Sequence, residues 1–330
     1  MELYKLNLQL FATNINTLTN SNAGFVELAN EDAEIYEKEM YDRLIPELNW
    51  FKWGMKKRLP RKSGSTVSIR RFENLAVATT AITEGVIPDG ADLVVVKRSA
   101  TVLEYGNYVK TTEFLQLVGL DDTVVELSQL LGENAGQSID IIVRDVVLAG
   151  TNVFYANGVA SRVLVATNIT YNDILRLART MKVNHVKKIN MGNGKMGYIF
   201  AVDPYVAYDV KQLQEYEDYN KHQNSEDLRM GIIAVLGGLM FVEVDNGKIA
   251  AGEGAGGKDV HLSYVIGRDA YMVPDIEGSS KPSIIVKAPG SAGTNDPLNQ
   301  ISSVGWKAVL TTLRIDELSG LRYESLATDS

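Results

Sequence analysis

The spacing of hydrophobic positions changes several times along the chain, and each change marks an element. From Asn30 to Leu48, "NEDAEIYEKEMYDRLIPEL" has acids in its first turn, apolar residues at helical spacing and a stop near Pro46, which predicts a helix. Residues 65 to 72, "STVSIRRF", and 93 to 104, "LVVVKRSATVLE", are β-rich and flank a stretch of small residues, Gly and Pro. This pattern predicts a long two-stranded excursion. An isolated ribbon of that kind is marginal in water, so it calls for a partner to lie on.

Residues 121 to 150, "DDTVVELSQLLGENAGQSIDIIVRDVVLAG", carry the strongest helical pattern. A Thr123 to Glu126 capping box opens the segment and Gly150 closes it, with Val124, Leu127, Leu131, Ala135, Ile139, Ile142 and Val146 expected on one face. At 1.5 Å per residue such a helix is roughly 40 Å long, about a domain's length, and serves as a spine. Gly132 and Gly136 interrupt its propensity.

Residues 151 to about 290 read as a mixed α/β unit. "TYNDILRLARTMK" has a Thr170 cap and a stripe of Ile174, Leu177, Ala178 and Met181. "MGYIFAVDP" reads as a strand whose Asp203-Pro204 end starts the helix "PYVAYDVKQLQEY". Further strands are expected at "GLMFVEVD", "VHLSYVIG" and "SIIVKAP". After the linker "APGSAGT", a last strand-like segment carries Trp306, Val309 and Leu310.

At 330 residues with 45% hydrophobic content the chain can bury a sizeable core, and its length suggests about two domains. No apolar run reaches the length of a membrane span. The start, "MELYKLNLQLFATN", lacks the basic region and cleavage site of a signal peptide, so synthesis in the cytoplasm is expected. The first 30 residues read as an extended arm with scattered apolar anchors such as Phe11. With no Cys, disulfides, thiolate metal sites and cysteine nucleophiles are excluded.

The net charge of −8 argues against binding nucleic acid through the overall field, though not against lying beside it. One stretch departs from this balance: "KWGMKKRLPRK" holds Lys52, Lys56, Lys57, Arg58, Arg61 and Lys62 with no acid among them, contains Trp53 and follows Trp50 and Phe51. It reads either as a solvated loop around Pro60 and Gly64 or as an inter-subunit or phosphate-contacting patch.

Catalytic constellations are thin. His185, His222 and His261 are far apart in sequence, form no ligand pair, and no G-x-S-x-G elbow is present. "GEGAGGKD", residues 252 to 259, matches the glycine spacing of G-x-G-x-x-G and of a truncated P-loop. Such loops hold phosphate because a helix follows them. Here a strand-like stretch follows, and Asp259 stands where a magnesium-ligating hydroxyl belongs. This predicts a flexible loop between two strands, with no catalytic residue, cofactor or metal assigned.

The order of parts, with "LNLQLFAT" near the start and "NDPLNQISSVGWKAVLTTLRID" near the end, resembles the major capsid proteins of tailed bacteriophages with the HK97-type fold. The resemblance covers essentially the whole chain. It implies an α+β capsid fold divided as follows: an N-terminal arm and helix (1 to 55), an extended loop (56 to 112), a peripheral domain with the spine helix (113 to 160), an axial domain (161 to 293), and a C-terminal segment returning to the peripheral domain (294 to 330). It implies a structural protein rather than an enzyme: a head subunit of the virion that forms pentamers and hexamers in an icosahedral shell around double-stranded DNA. Scaffolding, portal and decoration proteins would be further partners, with no cofactor and no membrane. Phe11, Trp53, Lys56, Lys57, Arg58, Arg61 and Lys62 are the candidate inter-subunit contacts. Alternatives are an encapsulin-like compartment and a soluble nucleotide-binding enzyme using residues 252 to 259.

Overall fold

The computed structural model describes residues 38, 40–41, 43–44, 48–60, 64–75, 77–81, 84–85, 87, 90–118, 123–190, 196–220, 231–276, 280–291 and 296–328. These fall into two compact units. One takes in Gly106–Ala135 and Ser283–Lys307 with the helical residues before Ile45, and the other takes in Pro46–Tyr105, Gly136–Pro282 and Ala308–Ser330.

In the first unit, strand β4 (Leu103–Thr112), β13 (Ser283–Lys287) and β14 (Ile301–Leu310) form a three-stranded sheet ordered β13-β14-β4. Here Trp306 is buried and donates from its indole to Asn134 Oδ1 at 3.0 Å. Lys38, Met40, Tyr41, Arg43 and Leu44 are helical, Leu48 is not, and the rest of the helix expected over Asn30 to Leu48 lies outside the described residues. Met40 and Leu44 are buried, and Arg43 pairs with Glu133 at 3.1 Å. A Cβ added at Gly132 would stand 2.4 Å from the Met40 carbonyl oxygen, so Gly132 lets the two backbones touch. The glycine lowers helix propensity but permits this close packing.

The long helix runs from Thr123 to Leu148 without a break. Its buried stripe runs through Leu131, Ala135, Ile139, Val143 and Val147, while Ile142 and Val146 are only partly covered. The expected face thus holds in the middle and drifts by one residue at the C-terminal end. There, spacing of four residues tracks the apolar face better than the expected step of three to Ile142. The side chains of Thr123 and Val124 lie outside the described residues.

The second unit is built on an eight-stranded sheet. Its path is β5 (Val153–Tyr155), β16 (Gly320–Ser325), β11 (Val260–Ile266), β7 (Met196–Val202), β9 (Leu239–Glu243) and β8 (Ile232–Leu236). The short β6 (Ile189–Asn190) pairs with β7, and β10 (Lys248–Ala250) with β11. All seven residues of β11 are buried, as expected of a strand covered on both faces. The helix Tyr171–Val183 packs its Ile174, Leu177, Ala178 and Met181 into this core, and the Thr170 side chain accepts from the Asp173 amide at 3.3 Å. Asp203 likewise accepts from the Val206 amide at 3.0 Å to start the helix Pro204–Lys211, and a second helix covers Gln214–Asn220. The single helix expected here is therefore two.

Two pairings join strands that the local sequence pattern does not connect. Strand β13, expected in the insertion ending at 293, pairs antiparallel with β14 in the three-stranded sheet. Strand β16, expected to close the peripheral domain, lies between β5 and β11 in the eight-stranded sheet. Both are pairings between residues distant in sequence, and neither leaves a mark in the local pattern.

Candidate assembly interface

The excursion forms as the alternating segments predict. Strand β2 (Thr66–Phe72) pairs antiparallel with β3 (Val95–Thr101), from Thr66 opposite Thr101 to Phe72 opposite Val95. Its root is held by Val67 packed with Met272, Leu313 and Ile315. Beyond Phe72 the described large apolar side chains are mostly uncovered. Val77 is 85% exposed and Ile87 94%, with Leu75, Leu93 and Val94 more than half exposed. Apolar side chains this exposed are candidates for an interaction surface.

At the base of the excursion, the Trp-rich stretch folds into a fixed knuckle. A four-residue helix, Trp50–Trp53, leads through Gly54 into β1 (Met55–Leu59). Trp50 is buried edge-on to Tyr264, and the Tyr271 hydroxyl donates to the Trp50 carbonyl at 2.6 Å. A Cβ at Gly54 would come within 2.8 Å of the Tyr271 ring. Asp140, fully buried on the long helix, accepts from the Phe51 amide at 3.0 Å and from the Asn246 side chain at 3.3 Å. Burial pushes the Asp140 carboxyl up to about 6 against these hydrogen bonds. Asp140 adjoins the buried apolar stripe, next to Ile139, and an acid beside that stripe was the available sign of a structural anchor.

Within the basic stretch, Met55–Leu59 form a strand rather than a loop. β1 pairs in parallel with β12 (Tyr271–Ile276), Met55 opposite Met272 through Leu59 opposite Ile276, and the short β15 (Leu313–Arg314) flanks β12 on its other side. Period-two alternation then sends the cations of β1 to opposite faces. The Lys56 ammonium turns back over the Phe51 ring, 3.1 Å from its centre, and hydrogen-bonds the Phe51 carbonyl. Desolvation there lowers it to about 7, with the nearby carboxylates of Asp275 and Asp140 resisting. Taken whole, Lys56 is exposed, while its ammonium is held against the Phe51 ring and carbonyl. Lys57 and Arg58 are exposed, Trp53 is half-buried, and Lys52 lies 4.9 Å from the Trp53 ring centre. Phe11, Arg61 and Lys62 lie outside the described residues.

The "GEGAGGKD" segment joins β10 to β11, an antiparallel pair, and no helix of four residues or more follows it among the described residues. Its donors are already engaged: the Gly252 amide donates to Asp259 Oδ1 at 2.7 Å, Gly254 to the Lys258 carbonyl at 2.8 Å and Ala255 to the Val165 carbonyl at 2.9 Å. Asp259 thus closes the loop where a phosphate site would need a hydroxyl. The segment is hydrogen-bonded shut, tighter than the flexible connection expected, and its glycines at 252, 256 and 257 supply the positive φ its bends require.

His261 is buried with Nδ1 against Asp203 Oδ2, and its register partner Ser325 and neighbour Ser263 are buried too. His261, Ser263 and Ser325 are each at most 1% exposed, and the hydrogen bond of the His261 ring is to Asp203. His185 is exposed in a different loop, and His222 lies outside the described residues. Among the described residues no cluster could hold a metal ion, and no helix is long and apolar enough to cross a membrane.

No protein-family model and no curated protein matches the chain. Its fold nevertheless has close counterparts among solved structures. The capsid of Ralstonia phage GP4 superposes with a TM-score of 0.67 at 13% identity, over 84% of this chain and 91% of that one. The Cyanophage Pam1 capsid gives 0.61 at 12% identity, over 87% and 93%. The capsid of Helicobacter pylori bacteriophage KHP30 gives 0.59 at 13%, over 82% and 87%. The chain has the α+β HK97-like fold of tailed-phage capsid structures.

Proposed function

We propose that this protein is a major head subunit that self-assembles, through pentamers and hexamers, into an icosahedral shell enclosing double-stranded DNA. The observation that carries the reading is the excursion: a ribbon pinned at its root by Val67, with Val77 and Ile87 almost fully exposed, on a fold shared with phage capsid structures. A monomer gains nothing from that surface, whereas a shell buries it many times over, and many modest interfaces sum to a strong container. On this reading the excursion lies on a neighbouring subunit and the N-terminal arm, with Phe11, reaches another. The insertion on the eight-stranded sheet meets its copies around the symmetry axes. The protein is made in the host cytoplasm and ends in the virion, with scaffolding, portal and decoration proteins as further partners. It acts by assembly rather than catalysis.

Negative-stain microscopy of the expressed protein, alone and with its scaffold, tests this. The expected result is shells or capsomers for the parent, and a folded, unassembled chain for a Val77→Asp, Ile87→Asp variant. A parent that stays monomeric at every concentration overturns the reading. Shells that hold a cargo enzyme and no DNA would point instead to a compartment.

A further inference from the structure

Beside the excursion root lies a cleft of about 420 Å³, lined wholly by residues of the second unit. Lys57, Arg70, Arg71, Lys187 and Arg268 contribute to its walls, against two acids, Asp269 and Asp316. Asp316 is engaged by Arg71, and Asp269 stands 3.9 Å from Arg268. Lys57, Arg70 and Lys187 are exposed and make no ion pair among the described residues. The cleft is therefore a local excess of positive charge on a chain that carries −8 overall.

Its construction is fixed. The loop at Asn184–Lys187 is tied to the next by the Arg268 amide donating to the Lys187 carbonyl at 2.9 Å, and the Gly267 amide donates to the Ser319 carbonyl at 2.9 Å. Two non-glycine residues held at positive φ, His185 and Asp269, both line it. Ile69, Val186 and Ile315 give it an apolar floor.

We propose that this cleft docks an acidic segment of a second copy of this chain. The reasoning deepens the assembly reading and rests on it. A nucleic acid would supply phosphates for the cations but no apolar side chains for Ile69, Val186 and Ile315. A second copy, by contrast, brings carboxylates set among apolar side chains, as in "EDAEIYEKE" at 31 to 39, matching both the cations and the floor. Electrostatic complementarity of this kind fixes register and partner more than it adds affinity.

The test mixes ¹⁵N-labelled and unlabelled protein, cross-links with a carbodiimide that joins lysines to carboxylates, and reads mixed-isotope pairs by mass spectrometry. Cross-links from Lys57 or Lys187 to acids of another copy are expected. In parallel, Arg70→Glu with Lys187→Glu should raise the concentration needed for assembly about tenfold. Lys287→Glu, exposed on β13 outside the cleft, should change it less than about twofold. Unchanged circular dichroism keeps misfolding apart from lost docking. Equal assembly of the cleft variant and parent overturns the proposal. So does loss of binding to a labelled DNA duplex with assembly intact, which would assign the cleft to nucleic acid. If the parent forms no shells, the assembly reading fails by itself, and inter-copy cross-links from the cleft in smaller oligomers still uphold the docking.

Discussion

Replacing Asp140 by asparagine removes a titration from the knuckle without removing its shape. Burial holds the Asp140 carboxyl near 6, against an ordinary value of 3.8. Between those values the folded state keeps a proton that the unfolded chain has released, so this group makes stability fall as pH rises from about 4 to about 6. Two units correspond to about 3 kcal/mol at most, and relaxation and water entry bring the expected effect to about 1–2 kcal/mol. The substituted amide has no proton to lose, and its carbonyl can still accept from the Phe51 amide. The stability of the Asp140→Asn variant minus that of the parent should therefore rise by about 1–2 kcal/mol from about pH 4 to about pH 6.5. Lys56, lowered to about 7, acts in the other direction and higher up: it adds stability only as pH rises from about 7 toward its ordinary value of 10.5. Asp145, held low by Lys248 and Arg144 despite its own desolvation, is common to both proteins and cancels in the difference. Urea unfolding of the unassembled protein, followed by tryptophan fluorescence across this range, reads the quantity directly. A flat difference, or one that falls with pH, would refute the claim that burial dominates at Asp140.

Two further outcomes follow from close contacts. Gly132→Ala places a Cβ against the Met40 carbonyl and should cost about 1–3 kcal/mol net of the helix propensity it gains, seen as a lower thermal midpoint; a raised midpoint, the propensity gain alone, would mean the two backbones are not in contact. Arg162 makes a two-pronged contact with the fully buried Glu324, at 2.6 and 2.8 Å. Arg162→Met should cost about 2–3 kcal/mol in urea unfolding, below the usual loss for a broken buried pair because Arg322 stays 2.8 Å from Glu324, and Glu324→Gln added to it should recover part of the loss.

What the sequence made legible was whatever depends on neighbours in the chain. The Thr170 cap, the stripe from Ile174 to Met181 and the Asp203-Pro204 helix start are set within a few residues, and each is found where the pattern places it. The glycine loop was readable because the element following it decides its chemistry. The knuckle was hidden: Met55 to Leu59 reads as a charged loop because its partner strand lies more than 200 residues away, at Tyr271 to Ile276. The same holds for β13 and β16, whose sheet membership is settled by distant pairing. The cleft was hidden for a related reason, since Lys57, Arg70, Lys187 and Arg268 come from four separate stretches and converge only in space.

The place of β16 has a consequence for how the protein is made. It lies between β5 and β11, yet it is the last of these strands to leave the ribosome. Until residues 320 to 325 emerge, β11 has an open edge and β5 has no neighbour in the sheet. Contacts of such long sequence separation form late. A nascent chain thus cannot complete the body from which its excursion projects, and translation itself delays the appearance of a subunit competent to join others.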